Sequence, residues 1–297
     1  MSRSKRPRRP GPAKRPPTVA PVLGPMPSAV AAWRLVHPFP SIAVAALTAA
    51  LVPFAGGTGR VALAAQLGIG MLLYQFAIGA ANDLADIDLD REMKAWKPLA
   101  RGALSPRAAR ALAAMATAGG MVVTSTLDLV PWLIGIAGLA CGLVYDLSLK
   151  RTAVAFVPLA IAVPLIPVWV WSAAGAWDDL LWAAMPAGML LGAAIYLVNQ
   201  APGAAEERTA GVDGLAQRLG ARRAALVGVA AFGLASSIVA VTLAFAGEGG
   251  RAVLCALVAV AAMLLVPRAA RLFGRDGLFG LFVASGAALA LVYLSAL

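Results

Sequence analysis

Five of the chain's 14 acidic residues are concentrated in one stretch, IGAANDLADIDLDREMKAWKPLARG, at positions 78–102. The five are Asp83, Asp86, Asp88, Asp90 and Glu92. If the apolar helix before them continues, Asn82, Asp86 and Asp90 stand at i, i+4 and i+8 and share one helical face, about 6 Å apart per step. Oxygen-bearing side chains in such a row repel each other in apolar surroundings, so the pattern predicts a bound cation.

Mg²⁺ suits this row, because it is a hard cation that takes oxygen ligands and shares the phosphate oxygens of a substrate. We therefore predict a magnesium site on Asn82, Asp86 and Asp90, with Asp83 contributing from a neighbouring face. The alternative is a solvated helix end with local ion pairs, such as Asp90 with Lys94.

The composition is too apolar for an ordinary soluble domain. Hydrophobic residues make up 61% of the chain and charged residues 13%, and the mean hydropathy is +0.81. Soluble domains carry about a quarter charged residues, so we predict an all-α, polytopic membrane protein. The single His and the two Cys, both in apolar segments, argue against a disulfide framework, a zinc site and a Cys or Ser/His hydrolase.

Nine apolar runs approach the roughly 20 residues needed to cross a hydrocarbon core of about 30 Å. We predict nine transmembrane helices at 32–54, 61–81, 108–126, 129–146, 153–175, 180–199, 223–246, 252–267 and 278–297.

The distribution of basic residues predicts the orientation of these helices. With the amino terminus in the cytoplasm, all of the 25 Lys and Arg residues except Arg60 and Arg251 fall on the cytoplasmic side, as the positive-inside rule requires. The carboxyl terminus is then on the opposite side. The two long loops, at about 82–107 and 200–222, are both cytoplasmic. We expect an integral protein of a bacterial-type inner membrane.

The amino-terminal segment differs from the rest. Residues 1–32 hold seven Lys and Arg, no acidic residue and several Pro, a composition typical of disorder. We divide the chain into a basic, Pro-rich tail at 1–27 and a nine-helix domain at 28–297. The tail suits an anionic membrane surface, and no nucleic-acid partner is expected.

The acidic stretch resembles a known signature. NDLADIDLD, from Asn82 to Asp90, is similar to the NDxxDxxxD motif of the UbiA superfamily of intramembrane prenyltransferases. The residues that follow resemble the continuation of that motif: Lys94, Lys97-Pro98-Leu99, Gly102 and Ser105-Pro106. Ala95 and Lys97 stand where Pro and Arg are usual. The resemblance implies a nine-helix bundle with a central cavity open to the cytoplasmic side.

Basic residues elsewhere resemble elements that hold diphosphate in this superfamily. Tyr145, Asp146, Lys150 and Arg151 are similar to its Y-x-x-x-x-K-R element, and Arg34, His37 and Pro38 to its R-x-x-x-P entrance. The resemblance implies catalytic roles for Asp86, Asp90, Tyr145 and Lys150. The implied diphosphate-binding residues are Arg34, Lys94, Lys97, Arg101, Lys150, Arg151 and Arg208. We interpret His37 as a buried or interfacial histidine rather than a catalytic base.

A second acidic motif is expected after the sixth helix, and here the sequence departs from the superfamily. The segment reads NQAPGAAEERTAGVDGLAQRLG; Asn199 and Glu207 keep the first and last ligand positions, and Gly203 replaces the middle one. Glu206 can compensate from the adjacent position. Pro202 and Gly203 are expected to break the helix. The implied second metal site is therefore Asn199, Glu206 and Glu207.

The resemblance implies Mg²⁺-dependent transfer of a prenyl group from a prenyl diphosphate to an aromatic or other lipophilic acceptor. The expected cofactor is Mg²⁺, and the expected partners are the donor, the acceptor and membrane lipid. Two alternatives remain open. One is a transferase or cyclase of the same fold that uses another diphosphate, such as phosphoribosyl diphosphate; the other is a non-catalytic lipid-binding member.

Overall fold

The computed structural model describes residues 24–56 and 59–296, with side chains throughout those ranges except at 266–279. All regular structure in the described residues is helical. Residues 1–23, which hold most of the predicted basic tail, lie outside the described residues.

Twelve α-helices and two short helical turns make up the described chain. They are α1 Ser28–Leu35, α2 Pro38–Gly56, α3 Val61–Ala85, α4 Ile87–Met93, α5 Pro106–Thr124, α6 Leu129–Val144, a π-helical turn Tyr145–Leu149, α7 Val157–Ala174, α8 Leu181–Gln200, a 3₁₀ turn Ala201–Gly203, α9 Ala204–Thr209, α10 Leu215–Leu219, α11 Ala221–Phe245 and α12 Gly249–Leu294.

Six segments of the described chain are long and apolar enough to cross a membrane, and each coincides with a predicted span. They are Pro38–Gly56, Val61–Ala85, Leu129–Leu149, Val157–Ala174, Leu181–Thr209 and Ala221–Phe245. Helix α5 coincides with the predicted third span, and two shorter apolar segments, Gly249–Leu265 and Gly280–Leu294, with the last two. The all-α membrane fold is confirmed, and the number nine stays a prediction.

The two described parts of α12 pack beside the same part of α11. The Met263 methyl lies over Gly233, and the Phe282 ring centroid is 5.2 Å from that of Phe232. Both described parts of α12, before and after 266–279, therefore lie along α11.

Small residues allow the helices to approach closely, as is usual in membrane bundles. At Gly192 of α8, an added Cβ would clash with the backbone carbonyl of Leu159 in α7. We call this close approach of α7 and α8, where Gly192 meets Leu159, the Gly192 seam. The largest buried side chains of the described chain include Trp169, Trp171 and Phe232.

The two basic residues that the orientation leaves outside have local partners. Arg60 donates to the carbonyl of Ala174, the last residue of α7, where the helix dipole favours a cation. Arg251 Nη1 lies 2.5 Å from Glu248 Oε2. Both exceptions to the charge pattern therefore have a local partner, a helix-end carbonyl for Arg60 and a carboxylate for Arg251.

Candidate functional site

The predicted continuous helix through the acidic stretch is interrupted at Asp86. Helix α3 ends at Ala85, Asp86 adopts φ −102° and ψ 6°, and α4 begins at the next residue. The i to i+4 pattern nevertheless persists, because Asp86 N donates to Asn82 O over 3.1 Å and Asp90 N to Asp86 O over 2.7 Å. The chain kinks while these three residues stay one turn apart.

Three of the acids in this stretch are buried. Asp83, Asp86 and Asp90 are 2%, 4% and 2% exposed, whereas Asp88 is exposed and pairs with Arg91 on the surface. Buried charges require partners. Solvation therefore describes Asp88 and not the other three, although the local pair of Asp90 with Lys94 that this alternative predicts is present at 3.8 Å.

Lys97 joins two of the buried carboxylates. Its Nζ lies 2.8 Å from Asp83 Oδ1 and 2.7 Å from Asp90 Oδ2. His37 Nε2 is 2.9 Å from the same Asp83 oxygen. Burial by itself would lower the pKa of Lys97, but Asp83 and Asp90 raise it above its ordinary value. Lys97 therefore remains a cation that ties α3 to the chain after α4.

His37 has a backbone conformation that non-glycine residues rarely adopt, with φ 50°. It lies between α1 and α2, and its side chain is about one-third exposed, at 35%. The interpretation of His37 as a buried or interfacial histidine agrees with this partial exposure. The sequence did not predict the contact of His37 with Asp83.

Lys150 and Arg151 provide the cations at Asp86. Lys150 Nζ lies 2.5 Å from Asp86 Oδ2, and Arg151 Nη2 lies 3.4 Å from Asp86 Oδ1. Burial by itself would raise the pKa of the Asp86 carboxyl, but Lys150, with help from Lys97 and Arg151, lowers it below its ordinary value. Asp86 is therefore held as a carboxylate.

Asp146 adds a fourth buried carboxylate that the predicted site lacks. It lies in the π-helical turn after α6. Its Oδ1 accepts a hydrogen bond from Asn82 Nδ2 over 2.6 Å and lies 3.6 Å from Lys150 Nζ. A lone acid at the end of an apolar span is the signal in the sequence that points to this residue. We call Asn82, Asp83, Asp86, Asp90 and Asp146, with their basic partners, the polar cluster.

The chemistry of these side chains suits a hard divalent cation. The ligands that the sequence predicts are amide and carboxylate oxygens, and Asp90 Oδ1 is buried with no hydrogen-bond partner among the described residues; Lys94 Nζ lies 3.8 Å from it. In the described chain, no three His, Cys, Asp or Glu side chains are grouped as a metal site. Lys97 and Lys150 lie between the carboxylates instead, and the buried, unpartnered oxygen of Asp90 is the feature that fits Mg²⁺.

The second acidic segment is arranged differently. The 3₁₀ turn Ala201–Gly203 interrupts the helix after α8, which confirms the predicted break. Asn199 and Glu206 are exposed. Glu207 Oε2 accepts a hydrogen bond from Gln217 Nε2 over 2.6 Å. The described contacts do not bring Asn199, Glu206 and Glu207 together.

Tyr145 connects this segment to the polar cluster. Its hydroxyl accepts a hydrogen bond from Gln200 Nε2 over 3.3 Å, and its ring packs edge-on against that of Tyr196, 6.4 Å between centroids. Lys150 Nζ lies 5.9 Å from the Tyr145 ring centre. Sequence reasoning missed Gln200, because an amide next to a degraded motif carries no distinctive signal.

The seven predicted diphosphate-binding residues divide into two groups. Lys94, Lys97, Lys150 and Arg151 contact carboxylates of the polar cluster. The others have different surroundings: Arg34 is exposed at the end of α1, Arg101 donates to the Gly24 carbonyl, and Arg208 Nη1 donates to the Gln217 carbonyl over 3.2 Å.

Comparisons with known proteins agree with the fold. A family model described as "UbiA prenyltransferase family" matches residues 28–294. A UbiA homologue from Aeropyrum pernix K1 is 23% identical and superposes with a TM-score of 0.69, covering 87% of this chain and 97% of the homologue. No curated protein sequence matches the chain.

Two further structures have the same fold. A UbiA homologue from Archaeoglobus fulgidus, bound to GPP and Mg²⁺, is 18% identical with a TM-score of 0.73, over 89% of this chain and 99% of the homologue. A digeranylgeranylglyceryl phosphate synthase is 12% identical with a TM-score of 0.66, over 90% and 97%.

Proposed function

This chain belongs to the UbiA prenyltransferase family, and from that premise we propose that it transfers a prenyl group from a prenyl diphosphate to an aromatic or other lipophilic acceptor within the membrane. Mg²⁺ is the proposed cofactor, and the cytoplasmic side is the proposed location of the site. The Archaeoglobus fulgidus homologue that binds GPP and Mg²⁺ supports the proposed donor class and cofactor.

The observation that carries the proposal is the polar cluster at the end of α3. Buried carboxylates at the end of an apolar membrane bundle are costly unless paired or bound to a cation. Here they alternate with Lys97 and Lys150, which lie 2.5–2.8 Å from them. A diphosphate with its metal needs both carboxylates and ammonium groups at short range, and the polar cluster supplies both.

Asn82, Asp86 and Asp90 would hold the metal, with Asp83 supporting them through Lys97. When bound, Mg²⁺ supplies positive charge that stabilises the diphosphate leaving group. Participation of Asn199, Glu206 and Glu207 in a second metal site remains part of the proposal, supported by their position in the family motif alone.

The reaction breaks the C1–O bond of the donor. The bonding electron pair leaves with pyrophosphate, and the remaining allylic cation accepts an electron pair from the acceptor, which forms the new bond and releases a proton. Lys94, Lys97, Lys150 and Arg151 are placed to stabilise the charge that grows on the departing oxygens, the kind of electrostatic contribution that is usually largest in catalysis. Arg34, Arg101 and Arg208 would bind the diphosphate from further out.

An apolar interior would exclude water from the cation and accommodate the prenyl chain. Described side chains of α7, α8, α11 and the last part of α12 line a partly open cavity of about 80 Å³. It lies near the start of α8, where Tyr293 Oη donates to the Leu180 carbonyl over 2.6 Å, away from the polar cluster. The expected central cavity open to the cytoplasmic side stays a prediction.

The test is pyrophosphate release by the purified protein in detergent with Mg²⁺. Prenyl diphosphates of about C10 to C20 and longer would be offered with mixed aromatic acceptors. We expect acceptor-dependent release that is lost in Asp86→Ala and kept in Asp88→Ala, because Asp88 lies exposed in the same acidic stretch. Full activity of Asp86→Ala would overturn the assignment.

A parallel reaction with phosphoribosyl diphosphate and a polyprenyl phosphate addresses the alternative substrate. The reduced second acidic segment, where Gly203 occupies the middle ligand position, favours including it. Product in this reaction, with none from prenyl diphosphates, would transfer the assignment to the alternative. Folded protein that is inactive with every donor would favour a non-catalytic lipid-binding role.

A further inference from the structure

The buried carboxylate of Asp146 is 64 residues away from Asn82 in sequence, and yet it contacts that residue as well as Lys150. It is 6% exposed and lies in the π-helical turn Tyr145–Leu149. Single π-helical turns are rare overall, but those that occur are often found at functional sites. Each adds one residue to a helical turn and so changes the direction of the side chains around it. Here the turn carries both Asp146 and Tyr145.

The first contact fixes the orientation of an amide. An ionised carboxylate can only accept hydrogen bonds, whereas an Asn side chain has a donor nitrogen and an acceptor oxygen. The Asn82 nitrogen lies 2.6 Å from Asp146 Oδ1, and the reverse orientation would put two oxygens in contact. The Asn82 oxygen must therefore face away from Asp146, which leaves it available to a cation.

The second contact positions an ammonium group. Lys150 Nζ lies 3.6 Å from Asp146 Oδ1 and 2.5 Å from Asp86 Oδ2. Lys150 and Asp146 are one helical turn apart, so Asp146 limits the range of positions that the long lysine side chain can take. The carboxylate thus acts on Asn82 and on Lys150 at once.

We propose that Asp146 is a positioning residue for the metal and diphosphate site. It holds the Asn82 amide with its oxygen free to bind the divalent cation, and it keeps Lys150 beside Asp86. This inference rests on the proposed function, because the cation and diphosphate belong to that proposal. Partners that orient metal ligands typically contribute about 10- to 100-fold to metal affinity.

A purely structural role for Asp146 is the competing explanation, since its hydrogen bond also joins α3 to the π-helical turn. Loss of such a link would lower the melting temperature without a specific effect on cation affinity. The two roles are separated by measuring cation binding and stability on the same variants, with Mn²⁺ as a paramagnetic substitute for Mg²⁺.

The experiment measures binding of Mn²⁺ alone to the purified full chain in detergent, by electron paramagnetic resonance, beside thermal unfolding. Asp146→Asn preserves shape and removes the charge, so that either end of the new amide can face Asn82. We expect its Mn²⁺ dissociation constant to rise about tenfold. Asp88→Asn, the same change at an exposed position, is the matched control and should leave it unchanged.

A swapped pair provides the stricter test. In the double variant N82D/D146N, the amide at 146 donates to the carboxylate at 82, whose second oxygen stays free for the cation. We expect Mn²⁺ affinity near that of the wild type. If Asp146→Asn alone does not fold, the double variant still provides the test, because it keeps the hydrogen bond between positions 82 and 146. Weak Mn²⁺ binding by a folded double variant would overturn the proposal.

The remaining outcomes separate the two proposals. Equal Mn²⁺ affinity of the wild type and Asp146→Asn overturns the role of Asp146 and leaves the proposed function standing. If the wild type itself does not bind Mn²⁺, the metal requirement in the proposed function is wrong, and this inference is overturned with it.

Discussion

Lys150 Nζ lies 2.5 Å from Asp86 Oδ2, although the two residues are 64 positions apart in the chain. This pair joins the kink after α3 to the π-helical turn after α6. It is the closest ion pair of the polar cluster, and it brings the acidic stretch and the basic element into one site.

The pair predicts a large effect of Lys150→Met on turnover. Without the ammonium group, the negative charge that grows on the diphosphate would lack a nearby hydrogen-bond donor. Because removal of one such donor typically lowers kcat by about 100-fold or more, we expect kcat to fall about 100-fold. Steady-state pyrophosphate release measures it. Arg151→Met is the comparison and should lose less, because Arg151 is half-exposed and 3.4 Å from Asp86; an unchanged kcat for Lys150→Met would contradict the role assigned to Lys150.

Lys97 is expected to matter for stability as well as for activity. Lys97→Met would leave Asp83 and Asp90 buried without their shared cation, and breaking a buried ion pair costs about 3–5 kcal/mol in the free energy of unfolding. Arg91→Met removes an exposed partner of Asp88 and should cost about 0–1 kcal/mol. Thermal and denaturant unfolding in one detergent compares them, and similar losses would refute the burial argument.

Glu207→Gln tests the second acidic segment. If Glu207 contributes to a metal site, removing its charge raises the Mg²⁺ concentration needed for half-maximal activity. We expect this rise to stay below about tenfold, the lower end of the loss in metal affinity when one supporting residue of a metal site is removed. The exposed acid Asp213, which pairs with Arg218, supplies the control Asp213→Asn. An unchanged Mg²⁺ titration for Glu207→Gln would show that the reaction does not use this residue.

Gly192→Ala tests the packing of α7 on α8. The added methyl would meet the Leu159 carbonyl, a backbone atom that cannot move aside cheaply. We expect a lower melting temperature and, by the overpacking cost, a loss of about 1–3 kcal/mol. Gly138→Ala in α6 is the matched control, since nothing lies within 4 Å of its added Cβ; equal behaviour of the two variants would rule out the close approach.

Local sequence patterns predicted those parts of the fold that depend on local physics. Apolar length placed the spans, and Pro202 with Gly203 marked the break where the 3₁₀ turn Ala201–Gly203 stands. The i, i+4 spacing of Asn82, Asp86 and Asp90 also survives as backbone hydrogen bonds, despite the kink. These features are set within one or two helical turns.

Apart from the local pair of Asp90 with Lys94, the partners of the acids could not be read from the sequence. The pairing of Lys97 with Asp83 and Asp90 needs the chain after α4 to fold back on α3, and Asp146 reaches Asn82 only because α3 and the π-helical turn pack together. Such contacts join separate segments of the chain, and the spacing of residues within one helix does not determine how those segments pack against each other. The acidic run alone therefore suggested a metal-bound row, whereas the described carboxylates are each matched to a basic or amide group.

The Gly192 seam also bears on how a lipid-dissolved molecule could reach the interior. Two backbones in direct contact leave no gap at that level, and only bending of a whole helix would open one. The prenyl chain of the proposed donor would therefore not enter from the bilayer between α7 and α8 at the level of Gly192.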